Sequence, residues 1–360
     1  MPIQWPLLET RIFTVPRTRV RTEDIAEPAK ILAAGGLVVF PTETLYGLGA
    51  SLERPEAMER LMELTKSPPD RRLTIHLGHA FELTKHVREV PPAARRMIRR
   101  FWPGPLTLLL QTREGIVRGF RLSSDEVAIA LLRAAAVPVV APPVAVGDAP
   151  PLSDPGEIAR HFSGRIDALI DSGPSRHSRL STIVDFTSPK GCVIAREGVV
   201  PREKIEEACR KRILFVCTGN TCRSPMAAGL MRRALALRLG VPEEKLEEKG
   251  WVVESAGVGA YDGAPATEEA MRVVEEMGCR ARAGSSRRLT EDMIDGADRI
   301  FTMTRAHLEQ VITMVPDAVG KSRRLDQTRD IEDPIGGGVE AYRAAARQIK
   351  KALDSVVKSL

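Results

Sequence analysis

Apolar runs of strand length alternate with longer stretches of helical spacing along most of the chain. Residues 22–34 carry apolar positions at helical spacing, with Glu23 and Asp24 in the first turn and Gly35-Gly36 as a stop, so they predict a helix. Residues 37–40 follow as a short buried strand. That strand opens into Pro41-Thr42-Glu43-Thr44-Leu45-Tyr46-Gly47-Leu48-Gly49-Ala50, where hydroxyls, a carboxylate and small residues crowd its end. Such a turn suits a polar ligand. Further on, residues 212–217 form an apolar run that ends abruptly in a polar loop at Cys217, and 226–239 read as a helix with Met226, Leu230, Met231 and Leu235 on one face. Strands at 251–255 and 299–303 and helices at 267–277, after Thr290, from Arg305 and at 339–358 complete the pattern. Strands alternating with helices predict an α/β unit with a parallel sheet covered on both faces, whose ligands bind beyond the carboxyl ends of the strands. Cys217 stands at such an end.

A chain of 360 residues exceeds what one core usually serves. Val199-Val200-Pro201 leads into a short helix at 202–210, and no Gly/Ser-rich or Pro-rich tether follows it. The expected domains are 1–205 and 206–360. Hydrophobic residues make up 43% and charged residues 28%, as in globular proteins. No apolar run approaches the roughly 20 residues of a membrane span. The opening Met-Pro-Ile-Gln-Trp-Pro lacks the basic and apolar regions of a secretion signal. Together these predict a cytoplasmic location and no membrane partner. The net charge of +6 is spread over both halves. Arg95, Arg96, Arg99 and Arg100 cluster before Phe101, a pattern that more often marks a solvated helix face than a nucleic-acid site. The five cysteines lack the spacing of paired metal ligands, so no metal is expected.

Chemistry concentrates in Cys217-Thr218-Gly219-Asn220-Thr221-Cys222-Arg223-Ser224-Pro225. Cys217 and Arg223 bracket five residues between a strand and a helix. The loop can therefore curl until its N–H groups and the guanidinium converge on one tetrahedral anion, with the positive end of the helix behind them. The same field favours a thiolate, whose free pKa of about 8.5 falls beside cations and helix N-termini. Cys217 reads as a nucleophile, and Thr218, Gly219, Asn220, Thr221, Cys222 and Ser224 as the phosphate-binding loop. Cys222 also stands where a reversible disulfide to Cys217 could shelter it from further oxidation. Far along the chain, Glu332-Asp333-Pro334-Ile335-Gly336-Gly337-Gly338 offers a carboxyl fixed by a proline and a glycine-rich turn. Phosphoryl transfer needs a proton donor for the leaving group and then a base for hydrolysis of the intermediate, and one carboxyl can serve both.

The Cys-x5-Arg-Ser loop at the end of the first strand, with Asp333-Pro334, resembles the low-molecular-weight protein phosphatases. The resemblance implies a flavodoxin-like doubly wound sheet, Cys217, Arg223 and Asp333 as catalytic residues, a phosphorylated protein as substrate, and no cofactor. Members acting on phosphotyrosine usually carry a branched aliphatic residue at the position of Thr221 and aromatic residues after Asp-Pro. Thr221 is instead similar to the protein-arginine phosphatases, in which that threonine discriminates for the phosphoguanidinium and Asp-Pro is followed by Phe-Gly-Gly. Ile335 departs from that Phe. Phosphoarginine is favoured over phosphotyrosine on these residues.

The turn at 41–50, Lys66, the strand at 73–77, Phe101-Trp102-Pro103-Gly104-Pro105-Leu106-Thr107, Arg121, Ser181-Thr182-Ile183-Val184-Asp185 and Arg196 together resemble the YrdC-like family of threonylcarbamoyl-AMP synthases. A twisted open α/β sheet is implied, with a ligand site at Thr42, Thr44, Tyr46, Lys66, His76, Arg121, Ser181 and Arg196. Such synthases use ATP with magnesium and threonine in a step of tRNA modification. Three departures bear on the nucleotide. Lys66-Ser67-Pro68 replaces Lys-x-Arg, with Arg71 and Arg72 close by; Pro142-Pro143-Val144-Ala145-Val146-Gly147 lacks the family's Ser-x-Asn; Ser123 replaces a proline. Each buried polar group left unpaired costs about 1–3 kcal/mol, so the nucleotide site reads as eroded. Three readings stay open: a cysteine phosphatase fused to such a domain, a bifunctional enzyme whose first half is an active ATP-dependent synthase, and a phosphatase carrying a non-catalytic module for nucleotide, RNA or protein.

Overall fold

Strands Val38–Phe40 and Ala168–Asp171 owe their place to continuous apolar runs, since a strand covered on both faces cannot alternate. The computed structural model describes residues 9–66, 73–147, 149–189, 191–280 and 285–358. The chain divides into two units, Met1–Ile205 and Glu206–Leu360.

In the first unit a ten-stranded mixed sheet is the frame. Val38–Phe40 pairs parallel to Ala168–Asp171 and antiparallel to Gly47–Ser51. Gly47–Ser51 was not foreseen as a strand: two glycines in its five residues hide the apolar pattern. They are there because the partner strand's Phe40 ring lies so close to Gly49 that a Cβ would meet it at 2.8 Å. Thr74–His76 pairs parallel to Val117–Arg121 in a register that sets His76 opposite Arg121. Leu106–Gln111 pairs parallel to Thr182–Ser188. Helix Thr22–Ala34 forms as expected and ends on Gly35 in the left-handed region. It buries Ile25, Ala29 and Leu32 among Phe40, Leu131, Val139 and Ile170.

The second unit is a four-stranded parallel sheet, with Lys211–Cys217 between Trp251–Gly257 and Arg299–Thr302, and Ser322–Arg324 at the edge. Ser322–Arg324 was missed because three polar residues carry no strand signal. Period-two alternation along Lys211–Cys217 separates two cores. Ile213, Phe215 and Cys217 face Met226, Leu230, Met231, Ile349 and Leu353 of helices Arg223–Leu239 and Gly338–Lys358. Leu214 and Val216 face Ile294, Ile300 and Val311 on the other side. Helix Arg223–Leu239 begins three residues earlier than the apolar spacing indicates, so that Pro225 lies in its first turn, where no intrahelical N–H is needed.

Phe215 is fully buried and stacks on Phe301 at 5.6 Å between ring centroids. Phe215→Ala is expected to cost about 3–5 kcal/mol, read in the full chain as a lower urea midpoint for the unfolding of residues 206–360.

Candidate active site

The loop after Lys211–Cys217 is held by its own side chains before any ligand is considered. Asn220 takes the left-handed conformation at φ 55°, which asparagine tolerates better than most residues. Its Nδ2 donates to Ser224 Oγ and to Ser255 Oγ, each at 2.9 Å, and its Oδ1 accepts from the Arg287 N–H at 2.8 Å. One buried side chain thus ties the loop to strand Trp251–Gly257 and to the chain beyond it. Ser224 Oγ, which accepts from Asn220, also lies 2.9 Å from the Cys217 sulfur and 3.5 Å from the Ala256 carbonyl oxygen. The Asn220 N–H also points at that sulfur, at 3.3 Å. Gly257 closes the underside, where a Cβ would meet the Thr218 carbonyl oxygen at 2.3 Å and the Asn220 nitrogen at 2.9 Å. Cys217 is 2% exposed, at the base of a cup formed by the loop, whose more accessible residues are Thr218, Gly219 and Thr221.

Arg223 reaches across this cup. Its Nη1 donates to the Ile331 carbonyl at 3.1 Å and its Nη2 to Asp333 Oδ2 at 2.5 Å. Ile331 is itself fixed by its N–H donating to Met303 O at 2.9 Å, just past strand Arg299–Thr302. The sheet therefore sets the distance between residues 217 and 333, although 116 positions separate them in sequence. Asp333 accepts from the Ile335 N–H at 3.4 Å, and Ile335 itself is 65% exposed. Cys222 turns away from the cup: its sulfur meets Tyr342 Oη at 3.3 Å, Thr221 Oγ1 at 3.5 Å and Thr267 Oγ1 at 3.6 Å. Both Cys217 and Cys222 are free thiols. Burial, with the bond to Cys222, pushes the Tyr342 phenol up to about 12.

His307 was not foreseen. It follows the helix cap Thr304 on Arg305–Met314, a position with no sequence signal of its own. Its Nε2 lies 2.9 Å from Thr218 Oγ1 and its Nδ1 2.8 Å from Thr304 Oγ1. Burial first, and then the Arg223 charge, push its pKa down to about 4. The imidazole is neutral at pH 7.

In the first unit, Thr44, His76, Arg121, Ser181 and Arg196 line one cavity of about 170 Å³, together with Thr74, Thr107, Pro142 and Pro143. Arg121 donates to Glu43 and to Thr44 Oγ1, each at 2.8 Å. Glu43 also accepts from the Ser123 hydroxyl and from the Ser124 N–H. Burial alone would raise the Glu43 pKa; the Arg121 charge and the bonds from Ser123 and Arg121 bring it below its ordinary value. His76 is pushed down to about 3 by burial and then by Arg121, and its Nδ1 has no hydrogen-bond partner among the described residues. Arg196 donates to the Ser181 carbonyl and hydroxyl. Thr42 lies just behind the cavity, bonded to Thr44 Oγ1 and Leu45 O. Besides Thr42, two more expected members are not among the lining. Tyr46 is wholly buried, with its hydroxyl between Gly173 O and Ser172 N, so it serves the core. Lys66 is the exposed C-cap of helix Pro55–Thr65. Ser67, Pro68, Arg71 and Arg72 lie outside the described residues. Glu43 and Ser123 are the partners that sequence reading passed over as site residues.

With this geometry in place, comparison with known proteins is direct. The family model described as telomere recombination, of the Sua5, YciO and YrdC proteins, matches residues 30–198. The model described as low molecular weight phosphotyrosine protein phosphatase matches residues 212–360. The threonylcarbamoyl-AMP synthase of Pyrococcus abyssi is 31% identical over 272 residues, covering 68% of this chain and 80% of that one. The protein-arginine-phosphatase of Geobacillus stearothermophilus is 39% identical over 154 residues, covering 41% of this chain and 95% of that one. Among solved structures, P. abyssi Sua5 complexed with L-threonine aligns over 95% of this chain and 98% of its own with a TM-score of 0.53, a likeness of fold at 23% identity. The chain therefore belongs to two families at once, to the threonylcarbamoyl-AMP synthases over its first half and to the low molecular weight protein phosphatases over its second.

Proposed function

We propose that the second half releases phosphate from phosphoarginine in proteins through a phosphocysteine intermediate, and that the first half no longer runs an ATP-dependent synthesis. The observation that carries the first statement is the convergence of Cys217, Arg223 and Asp333 on one cup, with a hydroxyl rather than an aliphatic branch at Thr221. Cys217 sulfur attacks phosphorus in line as the phosphorus–nitrogen bond breaks. Arg223 and the loop N–H groups hold the equatorial oxygens, and Asp333 gives its proton to the departing guanidine nitrogen. Asp333 then takes a proton from the water that attacks phosphocysteine, and the sulfur leaves. In competing for Arg223, the phosphate oxygens release the carboxyl at 333 toward the leaving group. The neighbouring relative named a protein-arginine-phosphatase supports the same substrate.

For the first half, support comes from the wall of the cavity. Pro142 and Pro143 line it and Val144 is buried beside them, so the segment that carries Ser-x-Asn in the resembling synthases presents hydrocarbon here. Arg121 Nη2 is taken up by Glu43 and Thr44. Among the described residues the cavity that remains is small and has lost the polar side chains of that segment, and no magnesium–ATP is expected to bind.

Cys217→Ser should abolish phosphate release from phosphoarginine peptides and from p-nitrophenyl phosphate, a loss of more than about a thousandfold; release at the wild-type rate would end the mechanism. Thr221→Ile should move the ratio of kcat/KM for phosphoarginine over phosphotyrosine peptides toward phosphotyrosine by about tenfold or more. An unmoved ratio would remove the case for arginine. Calorimetric titration of the full chain with magnesium–ATP should show no binding, whereas a micromolar Kd would restore the synthase.

A further inference from the structure

Thr218 is the exposed residue of the loop directly after Cys217. Arg223 Nη2 bonds Asp333 Oδ2 at 2.5 Å and reaches Thr218 Oγ1 at 3.5 Å, so the hydroxyl and the acid flank one guanidinium. Thr218 is exposed, yet its hydroxyl is not free to rotate. It is held by the His307 imidazole, 5% exposed, which is in turn held by Thr304.

A neutral imidazole has one donor and one acceptor nitrogen. Thr304 Oγ1 caps its helix by accepting from the His307 N–H at 3.2 Å, and with its second lone pair it can also accept from Nδ1–H. In the tautomer with the hydrogen on Nδ1, Nε2 accepts the Thr218 proton. One lone pair of Thr218 accepts from Arg223 Nη2 at 3.5 Å, and the other is left for a further donor. The bridging oxygen of an aryl phosphate carries no hydrogen for it. A guanidine does.

Resting on the phosphoarginine reading, we propose that Thr218 is a second specificity-determining residue, accepting a hydrogen bond from the guanidine of the substrate. His307 acts through it as a positioning residue that takes its proton and keeps its remaining lone pair for the guanidine. The selectivity for nitrogen-bound phosphate is thus divided between two loop hydroxyls, Thr218 and Thr221, and is supported from behind by helix Arg305–Met314.

The test is the ratio of kcat/KM for a phosphoarginine peptide to that for p-nitrophenyl phosphate, measured in the full chain. Thr218→Val, which keeps shape and removes the oxygen, should lower the ratio about tenfold. His307→Leu should lower it similarly, and the double variant should fall no further than either single one, because the two residues act as one unit. Thr218→Ser keeps the hydroxyl and should keep the ratio, which guards against a His307 variant that fails to fold. If Thr218→Val impairs both substrates equally, the hydroxyl serves the phosphate rather than the guanidine and the inference is overturned, with the phosphoarginine reading intact. A wild-type chain active on p-nitrophenyl phosphate and inert toward phosphoarginine overturns that reading and this inference together.

Discussion

Everything in the phosphatase half depends on one amide. The Asn220 side chain reaches the strand beside Lys211–Cys217, the helix behind it and the segment at Arg287 together. A curled loop of backbone N–H groups all pointing inward is not a minimum for a free chain, because parallel peptide dipoles repel and a left-handed residue carries strain. The three bonds of Asn220 offset that cost before substrate arrives. The order of events matters physically. A cradle assembled by the fold loses no entropy when phosphate enters, so the binding energy of the anion is available for the transition state.

The same economy governs Arg223 and Asp333. A guanidinium 5% exposed beside a carboxylate on a glycine-rich turn has no need of a distant counterion. The carboxylate is the more exposed of the two, with 44% of its side chain accessible. It is therefore the partner that can move, and the ion pair orders the acid loop without locking it. The loop glycines Gly336 and Gly338, both at positive φ, leave the backbone free to follow.

Much of this was legible in the residues. Cys217, Arg223 and Asp333 announce themselves because strand end, spacing and residue type agree, and the parallel sheet follows from alternation of strand and helix. What stayed hidden did so for identifiable reasons. His307 is a lone histidine on an amphipathic helix, indistinguishable in sequence from any other buried one. Gly47–Ser51 hides its strand because close approach of Phe40 demands glycine where an apolar residue would mark it. Tyr46 was misread in the other direction: it sits in a polar turn, but its bonds to Gly173 and Ser172 are structural, and only packing shows that. Ser123 looked like a mere departure and is the hydroxyl that helps hold Glu43.

Glu43 is 1% exposed and Arg121 is 6% exposed, and neither could lose the other without stranding a charge away from water, at a cost of about 3–5 kcal/mol. Selection for a stable domain would thus keep the pair even after selection for the reaction had ceased. An arginine at the heart of such a pocket is thus held by the architecture around it whatever chemistry the pocket performs, and its presence alone is no licence to assign an enzyme.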